Sequence, residues 1–267
     1  MDRSKFGLDL GFHDLVPRVP MTDEERSGLL TILGEVHKCD LEDIVELKEL
    51  GRGAFGVVRK AQFKKTKTLM AVKIIPITGN AENNKRTVMD MDVIMRSHNC
   101  PHIVRCYGCF VFDSEVRICM ELMSMCLEKL LKIAHSFPET IVANITNSVL
   151  LALDYLKENE PERVGTSESE YGVRADVWSL GIALMELATG RHPYEGCSTD
   201  FELLTKIKGE QPPRLDPSSG FSNYFCIFIA RCLMKCPVDR PSYKELLVII
   251  KEFSIHFFLT WQKFPNL

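Results

Sequence analysis

Several features that mark other protein classes are missing from this sequence of 267 residues. No apolar run reaches the roughly 18 to 20 residues that span a bilayer, and the N-terminus lacks the charged-then-apolar layout of a signal peptide. The formal net charge is only -3, so there is no general attraction to nucleic acid or to anionic membranes. We expect a cytosolic or nuclear protein with neither of these partners.

Metal-binding and disulfide patterns are also absent, although the chain holds ten cysteines. Cys106 and Cys109 form a lone C-x-x-C pair, and the only other close pair, Cys232 and Cys236, has no suitably spaced histidine. The cysteines are scattered through apolar stretches of a chain without a secretory signal. We expect free thiols, buried for the most part, and no metal site.

The hydrophobic patterning divides the chain into four parts and predicts an α+β fold. Residues 1–40, with Pro17 and Pro20, show little periodicity and are interpreted as an extension outside the fold. Residues 41–123 favour strands, interrupted by one helix near residues 84–97. Residues 124–253 are mainly helical, and residues 254–267 form a tail.

Two helices of the second half have distinctive patterns. One opens behind Pro138, and its predicted buried face is lined by Ile141, Ile145, Val149, Ala152, Leu153 and Leu156. The other runs from Ala175 to Thr189, is apolar nearly all round, and ends at Gly190. Further helices are predicted at residues 201–207, 225–233 and 243–253.

A glycine-rich segment between two predicted strands is a candidate phosphate-binding loop. Glycines let a backbone close over a triphosphate and point N–H groups at its oxygens, while apolar neighbours contact the base. An ordinary hairpin turn is the alternative. The candidate residues are Leu50, Gly51, Arg52, Gly53, Ala54, Phe55, Gly56 and Val58.

Lys73 lies in an apolar strand downstream of this loop, in Ala71-Val-Lys73-Ile. Burying its ammonium without a partner costs several kcal/mol, so a phosphate and a carboxylate are natural partners. Asp90, on the helix that follows, is the preferred carboxylate and Asp92 the weaker choice. In the alternative interpretation Lys73 snorkels out of the strand and Asp90 is solvated.

The sequence resembles the MAP kinase kinases, and among them the stress-activated branch that phosphorylates c-Jun N-terminal kinases. The resemblance covers residues 41–247. It is carried by Gly79-Asn-Ala-Glu-Asn-Asn-Lys-Arg-Thr-Val-Met-Asp90, Cys100-Pro-His-Ile-Val-Arg-Cys-Tyr-Gly108, Met120-Glu-Leu-Met123, Ala175-Asp-Val-Trp-Ser-Leu-Gly181, Glu186-Leu-Ala-Thr-Gly190, Thr199-Asp-Phe-Glu-Leu-Leu-Thr205 and Asp239-Arg-Pro241.

This resemblance implies a bilobal protein-kinase-like fold that uses ATP and Mg²⁺. The implied substrate is a MAP kinase of the c-Jun N-terminal kinase type, phosphorylated on Thr and Tyr, with upstream MAP kinase kinase kinases as further partners. In the family pattern Met120 is the gatekeeper beside the base. The backbones of Glu121 and Met123 meet the adenine, and Ala71 covers it.

The chain departs from the family where the catalytic machinery should follow the long helix. The sequence has no His-Arg-Asp and no Asp-Phe-Gly tripeptide, and it runs from Leu156 almost directly to Pro161-Glu162. The base aspartate, both magnesium ligands and the activation loop are therefore missing. We expect weak ATP binding and little or no phosphoryl transfer.

The missing segment should leave former partners behind. By the resemblance, Glu162 pairs with Arg240, while Asp176 braces a catalytic loop that is gone and becomes a costly buried, unpaired carboxylate. The helix around Trp178 should lose cover and expose an apolar patch. Such remnants favour a skipped exon or a gene-model error over a purpose-built pseudokinase.

A non-catalytic docking or scaffold module is the alternative function. Arg3-Ser-Lys5-Phe-Gly-Leu8-Asp-Leu10 places basic residues before a Leu-x-Leu pair, which is the layout of the family's docking segments. Such a module would compete for MAP kinases or for their upstream kinases.

Overall fold

The computed structural model describes residues 28–53, 56–77, 97, 99–111, 115–159 and 168–251. The chain divides into two compact units, residues 1–124 and 125–267. The first is built on an antiparallel sheet and the second on helices, so the predicted α+β class is confirmed. None of the helices in the described residues has both the length and the apolarity that a membrane span needs.

Seven strands are present in the described part of the first unit. Five of them form one antiparallel sheet in the order β3-β4-β5-β7-β6, and β1 pairs with β2 in a separate hairpin. The alternating or β-branched sequences of β3, β4, β5 and β7 favour strands, as predicted. The strands are β1 (Leu29–Ile32), β2 (Glu35–Lys38), β3 (Ile44–Gly53), β4 (Gly56–Phe63), β5 (Leu69–Pro76), β6 (Cys106–Val111) and β7 (Glu115–Glu121).

The two faces of the sheet differ in what covers them. Met70 and Val72 of β5 are buried in a cluster with the β1–β2 hairpin, Phe63 and Phe110. Side chains alternate along a strand, so Ala71 and Lys73 lie on the opposite face. One face of the sheet therefore packs against the core, and the opposite face carries the predicted nucleotide-binding residues Ala71 and Lys73.

The β1–β2 hairpin corrects the prediction that residues 1–40 lie outside the fold. Leu30, Ile32 and Cys39 are at most 2% exposed and belong to the first unit's core. The hairpin approaches β6 at Gly108, where any side chain would collide with the Leu29 carbonyl. The ordered part of this unit thus begins at least as early as Gly28, well before the predicted start at residue 41.

Six helices are described in the second unit. They are α1 (Leu127–Ala134), α2 (Glu139–Glu158), α3 (Glu168–Thr189), α4 (Asp200–Gly209), α5 (Asn223–Cys232) and α6 (243–251). Gly190 follows α3 with φ +73°, which is the left-handed C-cap that the sequence predicted.

The core of the second unit forms around α3. Val177 and Leu184 of this helix are fully buried, in one cluster with residues of α2, α5 and α6. At Gly181 the helix comes so close to α5 that an added Cβ would lie 2.8 Å from Cys232 and Leu233. The prediction of a helix buried on several sides is confirmed.

Two details of the helical predictions differ from the structure. In α2, Ile145, Val149 and Leu153 of the predicted face pack against the core, but Ile141 is exposed, and the fully buried residues are Val142, Thr146 and Leu150. Helix α3 begins at Glu168 rather than Ala175, because the polar segment before the apolar stretch continues the same helix. The predicted helix at residues 84–97 and the tail at residues 254–267 lie outside the described ranges, apart from Ser97.

Candidate functional site

The glycine loop is the tight connection between β3 and β4. Gly53 pairs with Gly56 and Gly51 with Val58, so the loop closes the end of the sheet. Gly56 has φ +142°, and a side chain there would collide with the Ile74 carbonyl, so its glycine is required by the fold itself. Gly51 and Gly53 instead have ordinary φ and nothing within 4 Å of an added Cβ.

This contrast separates a structural glycine from two glycines that the fold does not require. Glycine costs conformational entropy in a strand, so Gly51 and Gly53 need another reason to be there. Open space above a bare backbone is what a phosphate chain needs. Ala54 and Phe55, at the tip of the loop, lie outside the described residues.

Four predicted nucleotide-binding residues share one face of the sheet. Ala71 lies opposite Met120, and Lys73 lies between Val58 and Ile118. Directly opposed residues have Cβ atoms about 5 Å apart and point to the same side. Register thus brings together three small or apolar side chains and one ammonium, which is the composition expected beneath an adenine and its phosphates.

Lys73 itself is half-buried in this face. The predicted ion pair with Asp90 is not tested, because Asp90 lies outside the described residues. Leu50 is also half-buried, immediately before the glycine loop. Arg52, in the loop, forms an exposed ion pair with Glu49 at 3.0 Å, so its charge is directed along β3.

The segment after β7 holds the predicted adenine contacts. The Glu121 N–H donates to the Arg105 carbonyl at 2.9 Å, and the Glu121 carboxylate accepts from the Arg105 N–H at 2.8 Å. The Glu121 N–H is therefore already engaged within the sheet and is not available to an adenine. Met123 is 59% exposed, two residues beyond the strand.

Asp176, in the second unit, is neither buried nor unpaired, so that prediction was wrong. The residue is exposed, and its Oδ2 accepts a hydrogen bond from the hydroxyl of Tyr243 at 2.8 Å. Tyr243 is only 3% exposed and lies on α6. Helix α6 thus supplies a partner for a carboxylate whose family role requires a missing loop.

Arg240 is held by several backbone carbonyls. Its guanidinium donates to the carbonyls of Met234 at 2.7 Å, Arg174 at 2.7 Å and Lys235 at 3.2 Å. It also stacks over the ring of Trp178 at 4.8 Å. The predicted Glu162 pair stays a prediction, because Glu162 lies outside the described residues.

The predicted apolar patch around Trp178 is not seen among the described residues. Trp178 is half-buried under Arg240, and no large apolar residue of α3 with a described side chain is strongly exposed. The sequence pattern could not reveal this cover, because Arg240 comes from a loop 62 positions later. Arg174 completes the contact by donating to the Arg240 carbonyl.

All ten cysteines are free, as predicted. Burial raises the pKa of Cys39 and of Cys109 to about 12, which keeps both thiols protonated. Not all are buried, however, since Cys126 and Cys236 are exposed. Within the described ranges, no three or more His, Cys, Asp or Glu side chains are placed to hold a metal ion.

Comparison with known proteins identifies the family. The protein kinase domain model matches residues 44–160 and 159–249, as two segments that meet where the sequence lacks the catalytic loop. The chain is 41% identical to the dual specificity mitogen-activated protein kinase kinase hemipterous of Drosophila melanogaster, over 84% of this chain and 23% of that protein. This alignment runs over 274 residues, longer than the chain, so the relative holds residues that the chain lacks within it.

Two further relatives are similar over the same region. Dual specificity mitogen-activated protein kinase kinase 7 of Homo sapiens is 38% identical, over 84% of this chain and 66% of that protein. The kinase kinase mek-1 of Caenorhabditis elegans is 36% identical, over 84% of this chain and 78% of its own length. The chain thus spans less than two thirds of the fly and human relatives, and it belongs to the dual-specificity mitogen-activated protein kinase kinases of the protein kinase family.

Proposed function

We propose that this chain is a MAP kinase kinase-like domain of the c-Jun N-terminal kinase pathway that binds ATP weakly through its first unit and transfers little or no phosphate. The observation that carries the proposal is the shared face of Val58, Ala71, Lys73 and Met120 beside an open glycine loop. These four residues all belong to the first unit. The His-Arg-Asp and Asp-Phe-Gly motifs, which would supply the catalytic residues, are missing from the sequence.

The residues present fit an adenine nucleotide but not its magnesium. Val58, Ala71 and Met120 offer an apolar surface to the base, and Lys73 offers a cation to the phosphates. The Asp-Phe-Gly aspartate and the catalytic-loop asparagine, which hold Mg²⁺ in kinases, have no counterpart after Leu156. Without these ligands the phosphate charge is only partly neutralised, which is why we expect weak binding.

The proposed partners follow from the relatives rather than from a surface of this chain. The relatives are named as kinases of mitogen-activated protein kinase kinase type, which act on MAP kinases. The resemblance of the sequence to the stress-activated branch supports the c-Jun N-terminal kinase type and upstream kinases as partners. We propose the same partners here, in the cytoplasm or nucleus. An inactive domain would occupy them without phosphorylating them.

Two measurements on the purified chain test this function. Titration with a fluorescent ATP analogue should show weak binding that Lys73→Met reduces several-fold, with Lys67→Met, in an exposed turn, as the matched control. Incubation with labelled ATP and a c-Jun N-terminal kinase should give no transfer above that of Lys73→Met. Transfer that Lys73→Met abolishes would contradict the proposed inactivity, and failure to bind the analogue would contradict the nucleotide site.

A docking role is the second candidate, favoured by Arg3, Lys5, Leu8 and Leu10, which lie outside the described residues. If this segment captures MAP kinases, a Leu8→Ala, Leu10→Ala variant should retain clearly less c-Jun N-terminal kinase in a pull-down. The variant leaves the described core untouched. Equal capture by both proteins would remove the docking role while leaving nucleotide binding unaffected.

A further inference from the structure

The face of the sheet that carries Ala71 and Lys73 has a mixed cationic and apolar surface at the end away from the glycine loop. We call it the strand-end patch, and define it as Val45, Leu47, Lys48, Lys60 and Leu69. Two rows of paired residues cross β3, β4 and β5. One row is Val45, Gln62 and Leu69, and the other is Lys48, Lys60 and Ala71. The register therefore places Val45, Lys48, Lys60 and Leu69 on the same face as Ala71 and Lys73, further from the glycine loop, and Leu47 lies at the bulge next to Lys48.

Lys48 and Lys60 are directly opposed across β3 and β4. Like charges in this position destabilise a sheet, because their Cβ atoms are only about 5 Å apart. The other two cations of this hairpin both have carboxylate partners: Arg52 binds Glu49 at 3.0 Å and Arg59 binds Glu46 at 2.8 Å. Neither Lys48 nor Lys60 forms an ion pair or a side-chain hydrogen bond with the described residues.

The apolar members of the patch are unusually exposed for strand residues. Val45, Leu47 and Leu69 are 38%, 52% and 42% exposed, and Leu47 occupies a bulge beside Lys48. Bulges re-aim side chains and interrupt strand pairing. Two uncompensated cations next to exposed aliphatic side chains form a surface whose complement is both acidic and apolar.

We propose that the strand-end patch is a docking surface for an acidic, leucine-rich peptide segment of a partner protein. Carboxylates of the peptide would neutralise Lys48 and Lys60, and its aliphatic side chains would cover Val45, Leu47 and Leu69. Nucleic acid fits less well, because three of the five side chains are aliphatic and the chain carries a net charge of -3. This inference does not depend on nucleotide binding or on phosphoryl transfer.

A direct binding measurement tests the proposal. The probe is a short fluorescein-labelled peptide of alternating Leu and Glu, followed by anisotropy against the whole chain. We expect micromolar binding that weakens as salt rises, and at least about tenfold weaker binding to the Lys48→Glu, Lys60→Glu variant. The matched control is Lys64→Glu, Lys67→Glu, which makes the same charge change at two exposed lysines of the β4–β5 turn and should bind within about twofold of the unmodified chain.

A stability measurement separates binding from folding. The single Lys60→Glu variant replaces a repulsive cross-strand pair with an attractive one, so its thermal midpoint should be equal or higher while its peptide affinity falls. A peptide of alternating Leu and Gln should bind less tightly than the acidic peptide. The proposal is overturned if the chain does not bind the acidic peptide, if the patch and control variants weaken binding equally, or if a short single-stranded RNA competes as well as the peptide.

Discussion

The two units of this chain relate differently to the missing segment. In the first unit the predicted nucleotide residues that are described lie on one face or beside it, and the glycine loop is set by the register of β3 and β4. In the second unit the sequence has no His-Arg-Asp or Asp-Phe-Gly tripeptide, yet the helical core is buried around Val177 and Leu184. This core therefore forms without the segment that carries those motifs in protein kinases.

In the second unit, two residues that follow the gap at a distance in sequence contact α3. Tyr243, on α6, donates a hydrogen bond to Asp176. Arg240, in the loop before α6, covers Trp178 and donates to the Arg174 carbonyl. These contacts hold Asp176 and Trp178 in the absence of a catalytic loop.

Restoring the missing segment should produce the largest effect. Residues 157–167 would be replaced by the corresponding segment of the human relative, which carries its catalytic loop and activation loop. We expect phosphate transfer to a c-Jun N-terminal kinase to rise by at least about four powers of ten, because the base and metal sites return together. The measurement is a radiometric transfer assay.

The control for this graft is the same chain with Lys73→Met. Transfer should fall to background there, which ties the activity to the nucleotide face of the first unit. A folded graft that binds ATP but stays inactive would show that the second unit lacks more than the inserted segment.

Much of the fold could be predicted because its signals are local. Alternation in β5 and the apolar run of α3 depend on neighbouring residues, so both were recognised. The β1–β2 hairpin was missed because its strands are only four residues long and its burial depends on β6, about 70 residues away, where Gly108 leaves room. The glycine of its two-residue turn, Leu33-Gly34, is the sequence signal that could have indicated it, and both residues have positive φ in the structure.

The candidate site was predicted from motifs and from the family resemblance, not from strand register. Val58 and Lys73 come from the two motifs and Ala71 and Met120 from the resemblance, whereas their shared face is a finding of the structure. The partner of Asp176 was not predictable, because Tyr243 is 67 positions away and has no motif that connects it to the carboxylate. Long-range pairs between single side chains are decided by packing, which no local pattern encodes.

Arg240→Lys should destabilise the second unit by about 2 kcal/mol, because a lysine cannot reproduce a planar fork that serves three carbonyls and stacks on Trp178. Chemical denaturation followed by tryptophan fluorescence measures the change. Arg231→Lys is the matched control, since Arg231 is exposed and has no hydrogen bond among the described residues. Equal loss in both variants would show that the carbonyl contacts do not stabilise the unit.

Two glycine substitutions in the first unit should differ in what they change. Gly56→Ala meets the Ile74 carbonyl at a positive φ and should lower the unfolding free energy by about 2 kcal/mol. Gly51→Ala has open space and should change it by less than about 0.5 kcal/mol, but it should weaken binding of the ATP analogue because its methyl group enters the phosphate space. Unchanged analogue affinity in Gly51→Ala would remove the functional reason for that glycine.

The smallest effect concerns the hydrogen bond between Tyr243 and Asp176. Tyr243→Phe should cost about 1 kcal/mol of unfolding free energy, because one hydrogen bond to an exposed carboxylate is lost while the buried ring stays in place. A double-mutant cycle with Asp176→Ala isolates the pair, and a coupling near zero would show that the carboxylate gains nothing from α6. In the grafted chain the same coupling should be smaller, because the restored catalytic loop would offer Asp176 a second partner.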